Sequence, residues 1–165
     1  MKYCTKCGNR INEDAYICPS CGCLVDLSKA NKPAKVLRTD RSFLKYILLS
    51  IITFGIYGIY LMTTVSSDIN TIASRYDGKE TMNYCLYWFV IDTITFGVAY
   101  YVWNHRIASR INDELYRRGI DYSFGIGTFW GWDVLARITI VGPCIYTRKM
   151  FKAMNLLSND YNIRG

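Results

Sequence analysis

At 165 residues the chain has room for about one ordinary domain and a small module. It is 51% hydrophobic and 15% aromatic with a formal net charge of +7, and its charged residues crowd the first 41 positions and the gaps between apolar runs. That segregation excludes an evenly solvated globule and puts the apolar runs in or on a membrane; none begins before Phe43, so no cleavable signal peptide is expected and the first run serves as its own insertion signal.

The chain opens with Cys4-x-x-Cys7-Gly8 and, ten residues on, Cys18-Pro19-x-Cys21-Gly22. Two thiolates two residues apart can share one ion, and the glycine after each pair lets the backbone turn with positive φ. Residues 1–23 are therefore expected to be a zinc ribbon with Cys4, Cys7, Cys18 and Cys21 as a closed structural Zn2+ site, rather than a pair of disulfides. So few residues, with Ile11, Tyr16 and Ile17 the only sizeable apolar groups between the knuckles, cannot build a core without the metal. Four thiolates and one dication lower the formal charge from +7 to +5. Cys23 is a bystander, and Cys85 and Cys144 read as small core residues.

Residues 24–41 form a basic juxtamembrane linker carrying Lys29, Lys32, Lys35, Arg38 and Arg41. Beside a membrane segment these five are expected to bind anionic lipid at roughly 1 kcal/mol per charge and to hold their side in the cytoplasm. Reduced thiolates point the same way. A nucleic-acid tether is a weaker reading, because the ribbon also carries Glu13 and Asp14 and no cluster of stacking aromatics.

The remainder, 42–165, repeats itself. Ile52 to Asn70 reads ITFGIYGIYLMTTVSSDIN, Ile94 to Asn112 reads ITFGVAYYVWNHRIASRIN, and Ile138 to Asn155 gives a fainter ITIVGPCIYTRKMFKAMN. Such recurrence predicts an all-α membrane protein of three ~42-residue helix-break-helix repeats, 40–81, 82–123 and 124–165. In each, an apolar arm is broken at glycine (Gly55, Gly97, then Gly142-Pro143) and a second arm turns amphipathic. The apolar faces are Val65, Ile69, Ile72, Ala73 and Tyr76; then Ile107, Ala108, Ile111 and Leu115; then Met150, Ala153, Met154 and Leu157. Two topologies compete: straight spans over 43–66, 83–104 and 122–146, or hairpins whose arms return to one side. Basic residues follow every repeat, among them Lys79, Arg106, Arg110, Arg117, Arg118, Arg148, Lys152 and Arg164, and only hairpins keep all of them cytoplasmic. Backbone at membrane depth then requires that the hairpins pack on one another or on neighbouring subunits, and a homo-oligomer is expected.

Asp92, Asp133 and Arg137 fall inside the apolar runs, where charge is expensive and marks function by default. Asp133 and Arg137, four apart, could neutralise one another on a helix. Gly127-x-x-x-Gly131 would allow close helix contact, and Trp88, Trp103, Trp130 and Trp132 read as interfacial anchors. The single histidine, His105, has no nucleophile placed beside it, and no glycine loop precedes a Lys-Ser or Lys-Thr pair, so no enzyme is expected.

The CTKCG and CPSCG knuckles followed by LLSIITFGIYGIYLM resemble a bacterial integral-membrane family known as domain of unknown function 4234, with an N-terminal zinc ribbon; its mark is a TFGIYGIY-type motif. The resemblance implies a bacterial cell-membrane location and no assigned activity. The expected function is a non-enzymatic membrane protein, oligomeric, presenting its ribbon to a cytosolic protein partner. A small channel or transporter lined by Asp92, Asp133 and Arg137 is the alternative.

Overall fold

The computed structural model describes residues 2–4, 7–8, 10–11, 35–139 and 141–165, less the side chains of Lys2, Arg10, Ile11 and Arg75. They fall into two units, Leu37–Asn159 and a smaller one of Met1–Val36 with Asp160–Gly165. In the smaller unit β1 (Lys2–Tyr3) pairs antiparallel with β2 (Arg10–Ile11) across a tight turn, in which the Gly8 amide donates to the Cys4 carbonyl at 2.9 Å. Gly8 has φ +69°, the left-handed conformation expected of a knuckle glycine.

The larger unit is helical. Its first arm, α1 (Phe43–Ile52), is apolar except for Lys45 and Ser50 and ends at Thr53; α2 (Ile56–Asp77) follows and turns back along it. A Cβ on Gly58 of α2 would lie 3.0 Å from Ser50 Oγ of α1, which fixes the two arms side by side. The second arm pair begins with α3 (Tyr84–Leu86), a π-helical turn Tyr87–Ile91 and α4 (Asp92–Ile94), and returns as α5 (Val98–Arg117). Tyr87 stacks on Trp103 across this pair with ring centroids 5.6 Å apart. The third runs through α6 (Ile126–Thr128), a π-helical stretch Phe129–Val134 and a 3₁₀ turn Leu135–Ile138, and returns as α7 (Val141–Arg164). Gly142 lies in the first turn of α7 rather than at the break, and its use is close approach: a Cβ there would sit 2.3 Å from the Trp132 carbonyl oxygen.

The straight spans expected as one alternative are thus interrupted, and among the described residues no helix is long and apolar enough to cross a membrane. The inward faces of α2, α5 and α7 supply the core. Val65, Ile69, Ile72, Ala73, Ile107, Ala108, Ile111, Leu115, Met150, Ala153, Met154 and Leu157 are all buried; Tyr76 is not, and lies instead under the Arg117 guanidinium. Gly127 and Gly131 have nothing within 4 Å of an added Cβ, so the expected close helix contact does not form there. The π-helical register explains why: it turns that segment away from the spacing on which such a contact depends. Two further expectations are corrected. Trp103 is buried, its indole donating to the Met82 carbonyl, rather than interfacial, and Cys85 is exposed on the outside of its arm.

The asparagines that close each sequence copy hold the chain leading into another arm. Asn70 accepts from the Thr81 amide at 2.7 Å and donates to the Thr81 carbonyl at 2.8 Å. Asn155 does the same with Arg41, at 3.1 and 2.9 Å, which ties the third hairpin back to the start of the first. Asn112 abuts Gly125, whose added Cβ would lie 3.0 Å from Asn112 Oδ1. A side-chain amide can offer one donor and one acceptor to an extended segment at once, which is what this position requires.

Candidate functional site

The hairpin tips carry the most unusual backbone in the molecule. Thr53 and Thr95 each donate from Oγ1 to the carbonyl four residues back (Leu49 at 2.7 Å, Ile91 at 2.8 Å) and accept from the amide four residues on (Tyr57 at 2.9 Å, Ala99 at 3.1 Å). One hydroxyl thereby satisfies an orphan group on each helix end. Phe54 and Phe96 then take φ +49° and +50°, a left-handed conformation that costs an aromatic residue about 1–2 kcal/mol. Gly55 and Gly97 follow with φ +90° and +83°, and their amides reach back to Ser50 and Asp92 at 2.7 and 3.0 Å. The strain turns both phenyl rings outward: Phe54 is 97% exposed and Phe96 96%. In the third hairpin Thr139 Oγ1 donates to Ala136, and Ile138 beside it is 97% exposed. The outer faces of the arms continue this apolar surface through Leu48, Ile51, Ile56, Phe89, Ile94 and Leu135. An exposed apolar surface of this size marks contact with a membrane or a partner.

The ionisable residues inside the apolar runs are each engaged by tyrosines. Asp92 accepts from Tyr87 Oη at 3.0 Å on its own arm, and Asp133, 1% exposed, accepts from Tyr100 Oη at 2.7 Å. Arg137 is exposed, sits over the Tyr100 ring at 4.6 Å and donates to Tyr101 Oη at 3.3 Å. The expected Asp133–Arg137 pair is absent because the π and 3₁₀ turns between them break the i,i+4 register. His105 accepts from Trp130 Nε1 at 3.2 Å.

Charge at the opposite ends of the hairpins is organised around three buried groups. Arg110, 7% exposed, donates to Asp77, Asn70, Thr81, Ser74 and the Lys79 carbonyl, and so fastens the Asn70 clamp. Desolvation acts to raise the Asp77 carboxyl, but the hydrogen bonds from Arg110 and the Lys79 amide outweigh it and hold Asp77 below its ordinary value. Glu114 is buried between Arg117 and Arg118, at 2.6 and 3.2 Å. Arg41 is ion-paired with Asp68 and hydrogen-bonded to Ser158 and the Arg38 carbonyl. These contacts correct two expectations: Arg110 and Arg118 are not loop charges, and Arg41 is spent on the fold rather than turned outward to lipid. Of the other linker cations, Lys35 is exposed, Arg38 is paired with Asp40, and Lys29 and Lys32 lie outside the described residues. Asp68 and Arg110 each stand two residues before a closing asparagine, and that shared place in the copies was the available sign of their role.

Of the cysteine quartet, Cys4 opens the turn that Gly8 closes and Cys7 lies within it, and Cys18 and Cys21 lie outside the described residues. Among the described residues no group of three or more His, Cys, Asp or Glu side chains is placed to hold a metal ion.

Residues 41–113 match the family model described as Domain of unknown function (DUF4234). The match takes in the first hairpin and the second up to Asp113, short of the end of α5. No curated protein and no solved structure matches the chain.

Proposed function

We propose, with that family match as premise, that the chain is a non-enzymatic bacterial membrane protein. Its three hairpin repeats enter the membrane from the cytoplasmic face and return to it, and its N-terminal zinc ribbon is held in the cytosol for a protein partner. The observation that carries the reading is the pair of fully exposed phenylalanines at strained tips. A fold in water gains nothing by turning Phe54 and Phe96 outward, whereas each is worth about 1.5–3 kcal/mol if the tip lies in hydrocarbon. Length agrees: the ten residues of α1 rise about 15 Å, half of the roughly 30 Å hydrocarbon core. Trp88, Trp130 and Trp132 are partly exposed and suit the interface. Packing of the hairpins on their own chain meets the condition for placing irregular backbone at depth without calling on a neighbouring subunit.

Topology tests it. Single cysteines at Lys79, Arg117 and Arg164, in a background cleared of competing thiols, should all resist a membrane-impermeant reagent applied to intact cells. Labelling at positions 79 and 164 but not 117 would mean three crossings and end the hairpin reading.

A further inference from the structure

Two of the three closing asparagines are bonded and fastened, and the middle one is not. Asn70 holds both backbone groups of Thr81, and Arg110 secures that clamp by donating to Asn70 Oδ1 and to Thr81 Oγ1, each at 2.6 Å. Asn155 holds both backbone groups of Arg41, whose guanidinium is anchored on Asp68 and Ser158. Eleven residues separate Asn70 from Thr81, and the residue at the same remove from Asn112 is Ser123, again with a side-chain hydroxyl. Asn112 and Ser123 are both exposed, and neither the Asn112 side chain nor Ser123 makes a hydrogen bond among the described residues. In the sequence copies Arg110 corresponds to Ala153, two residues before Asn155, and an alanine has no donor with which to fasten this clamp.

The joint between the second and third hairpins rests two residues further along the chain instead. Asn112 Oδ1 faces Gly125, where an added Cβ would lie 3.0 Å from it, so only glycine leaves the amide that seat. Tyr122 donates its amide to the Ile120 carbonyl at 2.9 Å, a three-residue turn that draws the chain up, and its ring lies under Lys152 Nζ at 5.1 Å. Alongside is a cleft of about 510 Å³ whose lining includes Asn112, Ser123, Gly125 and Trp132, so Ser123 has room to approach.

We infer that this joint is a latch with two positions, open as described and closed with Asn112 Oδ1 accepting from the Ser123 amide and Nδ2 donating to the Ser123 carbonyl, as Asn70 does with Thr81. Closing gives up the Tyr122 turn bond and the Lys152 contact with its ring, and gains two bonds from one amide. These are terms of similar size, so both positions are populated and a small change at the joint moves the balance. The second and third hairpins stay joined in either position by Tyr100 to Asp133 at 2.7 Å and Tyr146 to Asn104 at 3.2 Å, so the latch moves the link between them and not their packing. It does not depend on the membrane reading.

Amide hydrogen exchange of the full chain in neutral detergent, resolved by residue with NMR, tests it. G125A, whose methyl collides with Asn112 in the open seat, should slow exchange at the Ser123 amide by about tenfold, and G125A/N112A should return it to within about twofold of the unaltered chain. That second variant separates the latch from the stiffening that alanine brings to any glycine site. K152Q leaves the seat alone and releases the Tyr122 ring; it should slow Ser123 exchange by about two- to threefold, and K152Q/N112A should not. Ser123 exchange unchanged in both G125A and K152Q, or slowing that survives the loss of Asn112, overturns the latch.

Discussion

Removing the Arg110 guanidinium should loosen the second arm pair by an amount set by which acceptors lose their last donor. Arg110→Ala deletes six hydrogen bonds, yet several acceptors keep another partner: Asn70 Oδ1 keeps the Thr81 amide, the Lys79 carbonyl keeps Ser74 Oγ, and Asp77 Oδ1 keeps the Lys79 amide. Thr81 Oγ1, Ser74 Oγ and Asp77 Oδ2 are left, and the Asp77 side chain is 28% exposed, so water recovers part of its loss. The expected destabilisation is therefore about 3 kcal/mol, the low end for breaking a buried ion pair, and not the sum of six bonds. At this chain length that lowers the melting temperature in detergent by roughly 6–12 °C. The pH dependence has a definite sign. Asp77 is depressed in the fold, so the stability it contributes is present above its unfolded value and is lost as pH falls through the lower folded one. Arg110→Ala should flatten that acid limb, and Arg110→Lys should keep part of it while losing the fork. A drop below about 1 kcal/mol, or an acid limb unaltered in Arg110→Ala, would show that this guanidinium does not fasten the Asn70 clamp.

Gly142→Ala should cost about 1–3 kcal/mol in thermal or denaturant unfolding, because its methyl meets the backbone oxygens of Trp132 and Ala136, whereas Gly127→Ala and Gly131→Ala, facing open space, should stay within about 0.5 kcal/mol. Purified protein should contain one zinc per chain by elemental analysis, and C4S/C18S should lose it; full retention would dismiss the quartet. F54N/F96N should leave detergent stability within about 1 kcal/mol, since asparagine accepts the left-handed backbone, but should make the protein easier to extract from membranes with alkaline carbonate. Unchanged extraction would remove the tips from the bilayer.

The first two hairpin tips and the inward faces were legible because each rests on local physics. A glycine after an apolar run stops a helix, and apolar residues at spacings of three and four bury one face, so Ile69, Ile111 and Met154 could be placed in the core from sequence. The helix through Asp133 and Arg137 was not, because a π turn changes which residues face each other without leaving a sign in composition. Arg41 and Arg110 were read as solvated charge for a similar reason. A basic residue near a membrane and a basic residue buried on a carboxylate look alike until the distant partner is known, and for Arg41 that partner, Asp68, lies 27 residues away. Tyr76 and Trp103 exchanged places with expectation because their surroundings, not their type, decide their exposure.

The hold of Asn155 on Arg41 also orders events in time. Asn70 closes on Thr81 across 11 residues, but Asn155 must close on Arg41 across 114, a difference of about 2 kcal/mol in chain entropy on a logarithmic loop scale. During synthesis the first hairpin can lock its own exit at once, while the lead-in to α1 waits, with Arg41 lacking Ser158, until the third hairpin has been made. For that interval the earliest apolar arm is the least secured part of the chain, and a nascent protein halted before Asn155 would expose that opening to whatever insertion machinery or protease reaches it first.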